Sequence, residues 1–425
     1  MDTPRYSLDE LLHTGPRSLV YRGRRLADGI PVVLKILRKE RPTPTESARF
    51  RREYELLLSL TQLCPAVVRA LEMDTHEGRP ALVMADAGGV SLRTYAAGKP
   101  IPIEEVVEIG AAIANVLSQL HQSNVLHKDI NPSNIVIHPK TRQVQIIDFG
   151  IASVLSRENP TARSLNVLEG TLVYMSPEQT GRMNRSLDYR SDLYSLGATL
   201  YELATGVPPF SSTDPVELVH SHIARTPLAP SDRNPGFPRA LSAIILKLLA
   251  KTAEERYQSA LGVLADLKTY RDLLRDRSTI EGFVPGLHDA SDRFQIPQKL
   301  YGRDSEISVL LSSFERVSQG RGELLLVAGY SGIGKSALVS EVHKPIVARR
   351  GNFISGKFDQ LQRNIPYTSL LQAFRELIRQ ILSEPESSLS AWRSRLLSAL
   401  GQSGQAIVEV IPELSLIIGP QPAAP

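Results

Sequence analysis

Residues 127–134 read HKDINPSN and follow a long amphipathic pattern that predicts a helix over Glu104–Gln122. Within this octapeptide Asp129 stands five residues before Asn134. In such a loop Asp129 can accept or orient the proton of a hydroxyl group, and Asn134 can offer an oxygen to a magnesium ion. A His-x-Asp triplet alone occurs freely in turns, whereas an asparagine at this spacing makes the pattern much more specific.

A second acidic residue stands in Asp148-Phe149-Gly150, directly after the predicted apolar strand Val144–Ile147. Upstream, Lys35 ends a strand-like run and Glu53 lies in a helical pattern. Taken alone, this lysine and glutamate are more simply solvated surface charges, as most charged residues are. In this order, however, the residues supply what phosphoryl transfer requires: held phosphates, held metal ions and an aimed acceptor hydroxyl.

The surrounding sequence predicts a small β-rich unit followed by a larger helical one. Short apolar runs alternate with turn signals from Tyr6 to Leu37, and the next predicted elements are a helix at Ser47–Leu60 and strands at Val67–Met73 and Ala81–Met84. Beyond Pro102 the patterns are helical, with further helices predicted at Ser191–Thr205, Asp214–Ala224, Arg239–Leu249 and Ser259–Asp276. This order predicts an α+β arrangement with a cleft between two lobes.

The complete set of motifs resembles a eukaryotic-type serine/threonine protein kinase domain over residues 6–275, with a small lobe at 6–87 and a large lobe at 88–275. The set continues, in the order of that family, with Gly170-Thr171, Ser176-Pro177-Glu178, Asp192 and Arg256. The resemblance implies the bilobal protein-kinase fold, ATP and Mg²⁺ as cofactors, and a protein substrate that carries serine or threonine.

Each matching position then takes a role from that resemblance. The residues implied in catalysis are Lys35, Glu53, Asp129, Asn131 and Thr171, the last of which would bond to Asp129. The implied metal ligands are Asn134 and Asp148. The residues implied in ATP binding, besides Lys35, are Gly15, Val20, Met84, Ala85 and Ala87. Structural roles fall to Glu178, which would pair with Arg256, and to Asp192, which would brace the catalytic loop.

Three positions depart from the pattern of the family. The phosphate-covering loop keeps only Gly15 of its three glycines, and glycines let backbone amides approach phosphates closely. Asn131 stands where serine/threonine kinases carry a lysine, and Lys128 replaces the usual arginine before Asp129. Loss of one cation near the transferring phosphate can lower the rate about 10- to 1000-fold, so a weak kinase or a pseudokinase stays an alternative.

A second nucleotide motif occurs at residues 329–336, which read GYSGIGKS and match G-x-x-x-x-G-K-S. A buried strand is predicted before it at Glu323–Ala328, and a helix after it at Ser336–Arg349. This context predicts a phosphate-binding loop whose backbone amides and Lys335 hold phosphates while the Ser336 hydroxyl binds magnesium. The residues assigned to this second ATP site are Gly329, Gly332, Gly334, Lys335 and Ser336.

The region 299–425 resembles the N-terminal part of an AAA- or STAND-type ATPase, a partial α/β P-loop NTPase domain, and residues 276–298 are interpreted as a linker. Further elements are predicted at Asp304–Gln319, Phe353–Phe358 (a strand), Pro366–Leu382 and Ser388–Leu400. No apolar strand ends in the acidic pair that such an ATPase needs, so either the chain is the first part of a longer protein, which we favour, or the ATPase is degenerate.

The whole chain is similar to large bacterial signalling proteins that join a serine/threonine kinase domain to an AAA-type ATPase, a GAF sensor and a histidine kinase. Asn131 and the glycine-poor loop are usual in that group. The resemblance implies sensor and histidine-kinase domains as downstream partners in a longer chain. Two further hypotheses stay open: a nucleotide-sensing scaffold that binds ATP without turnover, and a switch driven by the P-loop.

Composition limits the remaining classes. The 425 residues suffice for two or three domains at ~100–200 residues each, and 42% hydrophobic with 22% charged residues is ordinary for a globular protein. A net charge of +4 gives no indication of nucleic-acid binding. With a single cysteine, Cys64, no intrachain disulfide can form. Without a signal peptide or an apolar run of ~18 residues, the sequence predicts a cytoplasmic protein with no transmembrane segment.

Overall fold

The computed structural model describes residues 5–154, 172–180, 187–275, 283–287, 289, 302–330, 332–342, 345–346, 349, 351–356, 358, 367–382 and 386–422. A β-rich lobe and a helical lobe make up the first part of the chain, and helices make up the regular structure of the last part. Among the helices of these described residues, none combines the length and the apolar character that crossing a bilayer requires.

The small lobe is a five-stranded antiparallel sheet with one helix. Its strands β1–β5 pair in the order β1-β2-β3-β5-β4 and span Tyr6–Thr14, Ser18–Arg25, Pro31–Leu37, Ala70–His76 and Arg79–Ala85. The turn between β2 and β3 uses Gly29 at φ +72°, a conformation that favours glycine. The register places Lys35 of β3 between Val20 of β2 and Leu82 of β5, in the middle of the sheet.

Helix α1, Pro44–Thr61, starts at a capping box and turns one face toward the sheet. The Thr43 side chain accepts a hydrogen bond from the Glu46 amide, and the Glu46 carboxylate accepts one from the Thr43 amide. The buried residues of α1 recur at helical spacing and are Phe50, Glu53, Leu57 and Leu60. Glu53 is therefore the one charged residue among the buried residues of α1.

The large lobe packs long helices around one continuous core. Its helices α2–α8 span Leu92–Ala96, Ile103–Gln122, Arg190–Thr205, Pro215–Ala224, Pro230–Arg233, Arg239–Leu248 and Ala260–Arg275. Its short strands β6–β10 span Val90–Ser91, Val125–Leu126, Ile135–Ile137, Val144–Ile146 and Ser153–Val154. Helix α3 packs against α8 and α4, and α4 packs against α7. The predicted α+β bilobal arrangement is confirmed, with boundaries that differ by a few residues.

The crossing of α4 and α7 depends on a glycine. A Cβ atom at Gly197 of α4 would lie 2.6 Å from the Cβ atom of Leu248. We expect Gly197→Ala to lower the free energy of unfolding by about 1–3 kcal/mol, because overfilling a packed interface forces the helices apart. Urea unfolding followed by circular dichroism measures this change.

Gly110→Ala on α3 is the matched control for that prediction. The atoms nearest to a Cβ there are methyl ends of Leu267 and Leu200, at 3.1 and 3.2 Å, and such ends can rotate away. Equal stability losses at the two positions would show that helix propensity or general crowding, rather than the α4–α7 crossing, governs the effect.

The last part of the chain forms helices but lacks the predicted strands. Helices α9–α14 span Asp304–Ser318, Lys335–Ser340, Thr368–Leu382, Glu386–Leu400, Gly404–Val410 and Ser415–Ile418. The helix predicted over Ser336–Arg349 is interrupted: α10 ends at Ser340, residues 341–342 form a turn, and residues 345–346 are again helical. Helices α11–α14 share a small apolar core that includes Ile378, Ile381, Ile411 and Ile417.

The predicted buried strand Glu323–Ala328 is wrong. Residues 321–330 form no strand, and the side chains of Leu324 and Leu326 are 96% and 87% exposed. Residues 351–356 and 358, within or beside the second predicted strand, form none either. A strand needs backbone partners on a neighbouring strand, and the described residues beyond Val154 contain no such partner.

Part of the predicted linker 276–298 contacts the large lobe. Phe283 packs against the core of that lobe, and Asp289 accepts hydrogen bonds from residues just before α8. The sequence of this segment has no periodic pattern, which predicted a linker. The contacts are made by single residues, Gly286 and Asp289, and such contacts leave no periodic pattern in the sequence.

Candidate active site

An ion pair joins the sheet of the small lobe to its helix. The Lys35 Nζ atom donates to both carboxylate oxygens of Glu53, at 2.7 and 2.9 Å, and to Asp148 Oδ1 of the large lobe at 2.9 Å. The Glu53 side chain is only 4% exposed. All three protons of the ammonium group are therefore used, and one lysine connects β3, α1 and the segment after β9.

The charges of this cluster stabilise one another. Burial lowers the pKa of Lys35, but the carboxylates of Asp148 and Glu53 outweigh burial and raise the pKa above its ordinary value. Burial raises the pKa of Asp148, and the charge of Lys35 outweighs it, so the pKa falls to about 2. Burial raises the pKa of Glu53 against the charge of Lys35. We treat Glu53 as ionised because both of its oxygens accept hydrogen bonds from an ammonium group.

Asp148 is held with one oxygen engaged and the other open. Its Oδ1 atom accepts from Lys35 and from the Gly150 amide, whereas its Oδ2 atom accepts no hydrogen bond from any residue that the structure describes. Phe149 is buried and meets the His127 ring edge-on with centroids 4.7 Å apart. The burial of Phe149 fixes the direction in which Asp148 points.

Sequence reasoning missed one residue that supports this arrangement. The Arg49 Nε atom donates to the Gly150 carbonyl at 2.9 Å. Arg49 lies four residues before Glu53, hence on the same side of α1, and that spacing is the signal that could have pointed to it.

Asp129 presents a carboxylate held by two side-chain amides. Asn131 Nδ2 donates to its Oδ1 atom at 2.9 Å, and Asn134 Nδ2 donates to its Oδ2 atom at 2.8 Å. Burial raises the pKa of Asp129, and the negative charge of Asp148 adds to this effect. Asn131 thus lies directly beside the carboxylate that the sequence predicts to receive the hydroxyl proton.

The backbone beneath Asp129 is strained and clamped from both sides. Lys128 has φ +68°, a left-handed conformation that is uncommon for a side chain of this size. The Lys128 amide donates to Asp192 Oδ1 at 2.7 Å, and the Lys128 carbonyl accepts from Gln179 Nε2 at 2.8 Å. Asp192 also accepts from the His127 amide at 3.0 Å. Gln179 was not predicted, and a lone glutamine after Glu178 gives no periodic signal.

Glu178 and Arg256 form a bidentate pair inside the large lobe. Arg256 donates to the two carboxylate oxygens at 2.6 and 2.8 Å, and neither side chain is more than 6% exposed. Burial raises the pKa of Glu178, but the charge and hydrogen bonds of Arg256 outweigh it and lower the pKa to about 2. This pair fixes the end of the segment that runs from Asp148 to Glu178.

The residues predicted to hold magnesium have suitable atoms free. Because Asn134 donates through Nδ2 to Asp129, its Oδ1 atom is left as an acceptor, and Asp148 keeps its Oδ2 atom open. Magnesium in phosphoryl-transfer sites is bound by one or two protein oxygens together with phosphate oxygens and water. The donor set fits that pattern, and no group of three or more His, Cys, Asp or Glu side chains within the described residues forms a separate metal cage.

The predicted adenine side of the cleft lies at the end of β5. Met84 is buried, and the Ala85 backbone amide donates a hydrogen bond to the Arg69 carbonyl. Ala87 is exposed, and its amide donates to no described residue. Gly15 makes a tight turn to the Ser18 carbonyl at 2.9 Å, and Val20 lies opposite Lys35. The predicted contact of Thr171 lies outside the described residues.

The described part of the P-loop has the backbone of an anion-binding turn. Gly332 and Gly334 have φ +82° and +94°, and α10 begins at Lys335 directly after them. The Lys335 Nζ atom donates to the carbonyls of Gly329 and Tyr330, both at 2.8 Å. The Lys335 ammonium group therefore binds the backbone of its own loop. Ser336 lies exposed in the first turn of α10.

Lys35 connects the two lobes by binding the carboxylates of Glu53 and Asp148. The nearby loop presents Asp129, whose carboxylate is held by two side-chain amides. This arrangement defines the class of two-lobed ATP-dependent phosphotransferases. The chain belongs to the protein kinase family: the protein kinase domain matches residues 6–265. An AAA ATPase domain follows and matches residues 299–423. The chain thus joins a kinase domain to an AAA P-loop domain.

Similar proteins come from bacteria and from a social amoeba. Serine/threonine-protein kinase PknB of Mycobacterium tuberculosis is 37% identical over 269 residues, which is 62% of this chain and 42% of PknB. Hybrid signal transduction histidine kinase G of Dictyostelium discoideum is 39% identical over 59% of this chain and 8% of its own length. A probable serine/threonine-protein kinase of Clostridium perfringens is 34% identical. The chain spans less than half the length of these curated relatives.

Proposed function

We propose that the chain is an ATP- and Mg²⁺-dependent serine/threonine kinase module of a bacterial signalling protein, with a second ATP site at the P-loop. The observation that carries this proposal is the assembled cluster in which Lys35 holds Glu53 and Asp148 while the outer oxygens of Asp148 and Asn134 stay open. The bacterial relatives, which are named as serine/threonine-protein kinases, support the same class.

In the proposed reaction the acceptor oxygen forms a bond to the γ-phosphorus of ATP, and the bond to the β–γ bridging oxygen breaks, releasing ADP. Asp129 receives the hydroxyl proton, which its burial and raised pKa favour. The Lys35 ammonium group would turn from Asp148 to the α- and β-phosphates of the bound nucleotide. Asp148 and Asn134 would hold Mg²⁺, which would offset the charge of the phosphates. The roles of Gly15, Val20, Met84, Ala85 and Ala87 in holding the nucleotide belong to this proposal.

Asp129→Asn tests the proposal. We expect transfer of labelled phosphate from ATP to an acceptor protein to fall about 10²- to 10⁴-fold, because an amide cannot take the hydroxyl proton. Bound ATP, measured by equilibrium titration, should change little. Asp272→Asn, an exposed aspartate on α8, is the matched control and should leave transfer unchanged. Full transfer by Asp129→Asn contradicts the assigned role.

Asn131 gives a second test at the position that departs from the family. Asn131→Asp keeps the acceptor for the Ser133 amide at 2.9 Å but replaces the donor to Asp129 with a like charge. A lost hydrogen bond to a charged group is worth ~1.5–3 kcal/mol, so we expect kcat to fall about 10- to 150-fold with ATP binding preserved. Asn131→Lys restores a donor and should retain more activity than the aspartate. Wild-type kcat in Asn131→Asp would refute the positioning role.

A nucleotide-sensing scaffold is the second candidate function. It is favoured by the single glycine, Gly15, in the covering loop and by an uncharged Asn131 beside the catalytic aspartate. Such a scaffold binds ATP with Mg²⁺ and transfers nothing. The wider context that we propose, a cytoplasmic chain acting on Ser/Thr-bearing proteins and on downstream histidine-kinase or sensor domains, applies to both candidates.

A further inference from the structure

A short segment between the two matched domains lies on the large lobe. We call residues 283–287 with Asp289 the strap; they lie beyond the kinase match at 6–265 and before the ATPase match at 299–423. Phe283 packs against the core of the lobe. The segment is therefore built onto the kinase surface, although neither domain match includes it.

Hydrogen bonds hold the middle of the strap and its last residue. Asp289 Oδ2 accepts a hydrogen bond from the backbone amide of Gln258, and Asp289 Oδ1 accepts one from the Ser259 hydroxyl at 3.0 Å. Both donors lie just before α8 begins. The Gly286 amide donates to Asp266 Oδ2 of α8 at 2.6 Å. One strap carboxylate thus accepts from the lobe, and one lobe carboxylate accepts from the strap.

The fit between the strap and the lobe requires glycine on both sides. Gly286 has φ +78°, a backbone conformation that residues other than glycine rarely adopt. A Cβ atom at Gly262 of α8 would lie 2.1 Å from Asp289 Oδ1. Such close backbone approach is a property of a specific docked geometry rather than of a loose tether.

The docking point leads directly to the Glu178–Arg256 pair. Gln258, which donates to the strap, accepts through Oε1 from Arg190 at 2.9 Å. The Arg190 carbonyl accepts from Arg256 at 3.1 Å, and Arg256 holds Glu178. A continuous set of hydrogen bonds therefore runs from the strap to Glu178, the last residue of the segment Asp148–Glu178, which we call the activation segment.

We propose that the strap is a docking element of the kinase domain through which the connector to the ATPase domain stabilises the end of the activation segment. Its binding surface is the face formed by Gln258, Ser259, Asp266 and Lys247, and its partner is the chain's own connector. The part of this proposal that concerns phosphate transfer rests on the proposed kinase function; the docking itself does not.

Hydrogen exchange on the whole chain tests the docking. Gly262→Ala is the sharpest variant, because alanine is the better helix former and yet its methyl group excludes Asp289. Asp289→Ala removes the same contact from the other side, and Asp272→Ala is the control on the exposed face of α8. We expect the amides of Gln258 and Gly286 to exchange at least tenfold faster in both strap variants and at the wild-type rate in the control. Wild-type exchange in both strap variants overturns the docking.

The same samples test the coupling. We expect peptides over residues 172–180 to exchange several-fold faster when the strap is released, and phosphate transfer to fall several-fold. Faster exchange at the strap with unchanged exchange over 172–180 overturns the coupling and leaves only a passive attachment. If the wild-type chain transfers no phosphate, the proposed function fails, while the two exchange measurements still decide the strap.

Discussion

Replacing Arg256 by methionine is expected to lower the free energy of unfolding of the kinase domain by about 3–5 kcal/mol. The guanidinium group is fully buried and donates to Glu178 and to the carbonyls of Ala250 and Arg190. Methionine fills much of the same space but leaves the Glu178 carboxylate buried without a counter-charge. Urea unfolding followed by circular dichroism measures the loss.

Arg271→Met is the matched control for this prediction. Arg271 also pairs with a neighbouring carboxylate, that of Asp272, but the pair lies at the surface. Exposed pairs contribute ~0–1 kcal/mol, so the control should unfold close to the wild-type midpoint. Similar losses in the two variants would contradict the claim that burial makes the Glu178–Arg256 pair decisive.

The pH dependence of stability offers a check on the same pair. The pKa of Glu178 is lowered from 4.5 to about 2, so the folded state prefers the ionised carboxylate. The corresponding stability, about 3 kcal/mol, is present above pH 4.5 and is lost as the pH falls toward 2. In Arg256→Met this loss should disappear, and the slope of stability against pH in that range should become flatter.

Lys35→Met is expected to lower phosphate transfer by about 10²- to 10³-fold, the effect of removing one preorganised charge from a phosphoryl-transfer site. Without the ammonium group, Glu53 and Asp148 lose the cation that they share, and the segment after β9 loses its ion pair with the small lobe. Initial rates with labelled ATP measure the effect. Because Lys35 holds phosphates in the proposed mechanism, the affinity for ATP should fall as well.

Lys39→Met provides the matched control for Lys35. Lys39 lies four residues further along, is largely exposed and, within the part of the chain that the structure describes, pairs with Glu46 at the start of α1. Its loss should leave transfer unchanged. Wild-type transfer in Lys35→Met would remove the central residue from the proposed mechanism, whatever the control shows.

The sequence predicts the kinase part well because its signals are local or strongly patterned. The spacing from Asp129 to Asn134 points to the loop after α3, and the helical pattern over Ser47–Leu60 predicts α1 except for its first turn, which starts at Pro44. Features made by single contacts between distant residues stay hidden. Gln179 donates a hydrogen bond to Lys128, and Asp289 accepts one from Gln258. Neither the composition of the sequence nor a periodic pattern predicts these contacts.

In the last part of the chain the two predicted strands are wrong, because a strand depends on hydrogen bonds to a neighbouring strand. Residues 323–328 are apolar and precede a glycine-rich loop, which predicts a buried strand. A strand forms only with partner strands, however, and the described residues of this region supply none. The helices at Asp304–Ser318 and Thr368–Leu382 satisfy their own backbone hydrogen bonds, and these predictions hold within two residues of the expected starts and ends.

The central claim is that the cluster of Lys35, Asp129 and Asp148 transfers phosphate rather than only binding nucleotide. The most direct test incubates the wild-type chain with γ-labelled ATP and Mg²⁺ and identifies the labelled amino acids in the chain itself and in an acceptor protein. We predict phosphoserine or phosphothreonine that appears only with Mg²⁺ and is absent in Asp129→Asn. Tight Mg²⁺-dependent ATP binding with no labelled serine or threonine would contradict the account and identify the chain as a nucleotide-sensing scaffold.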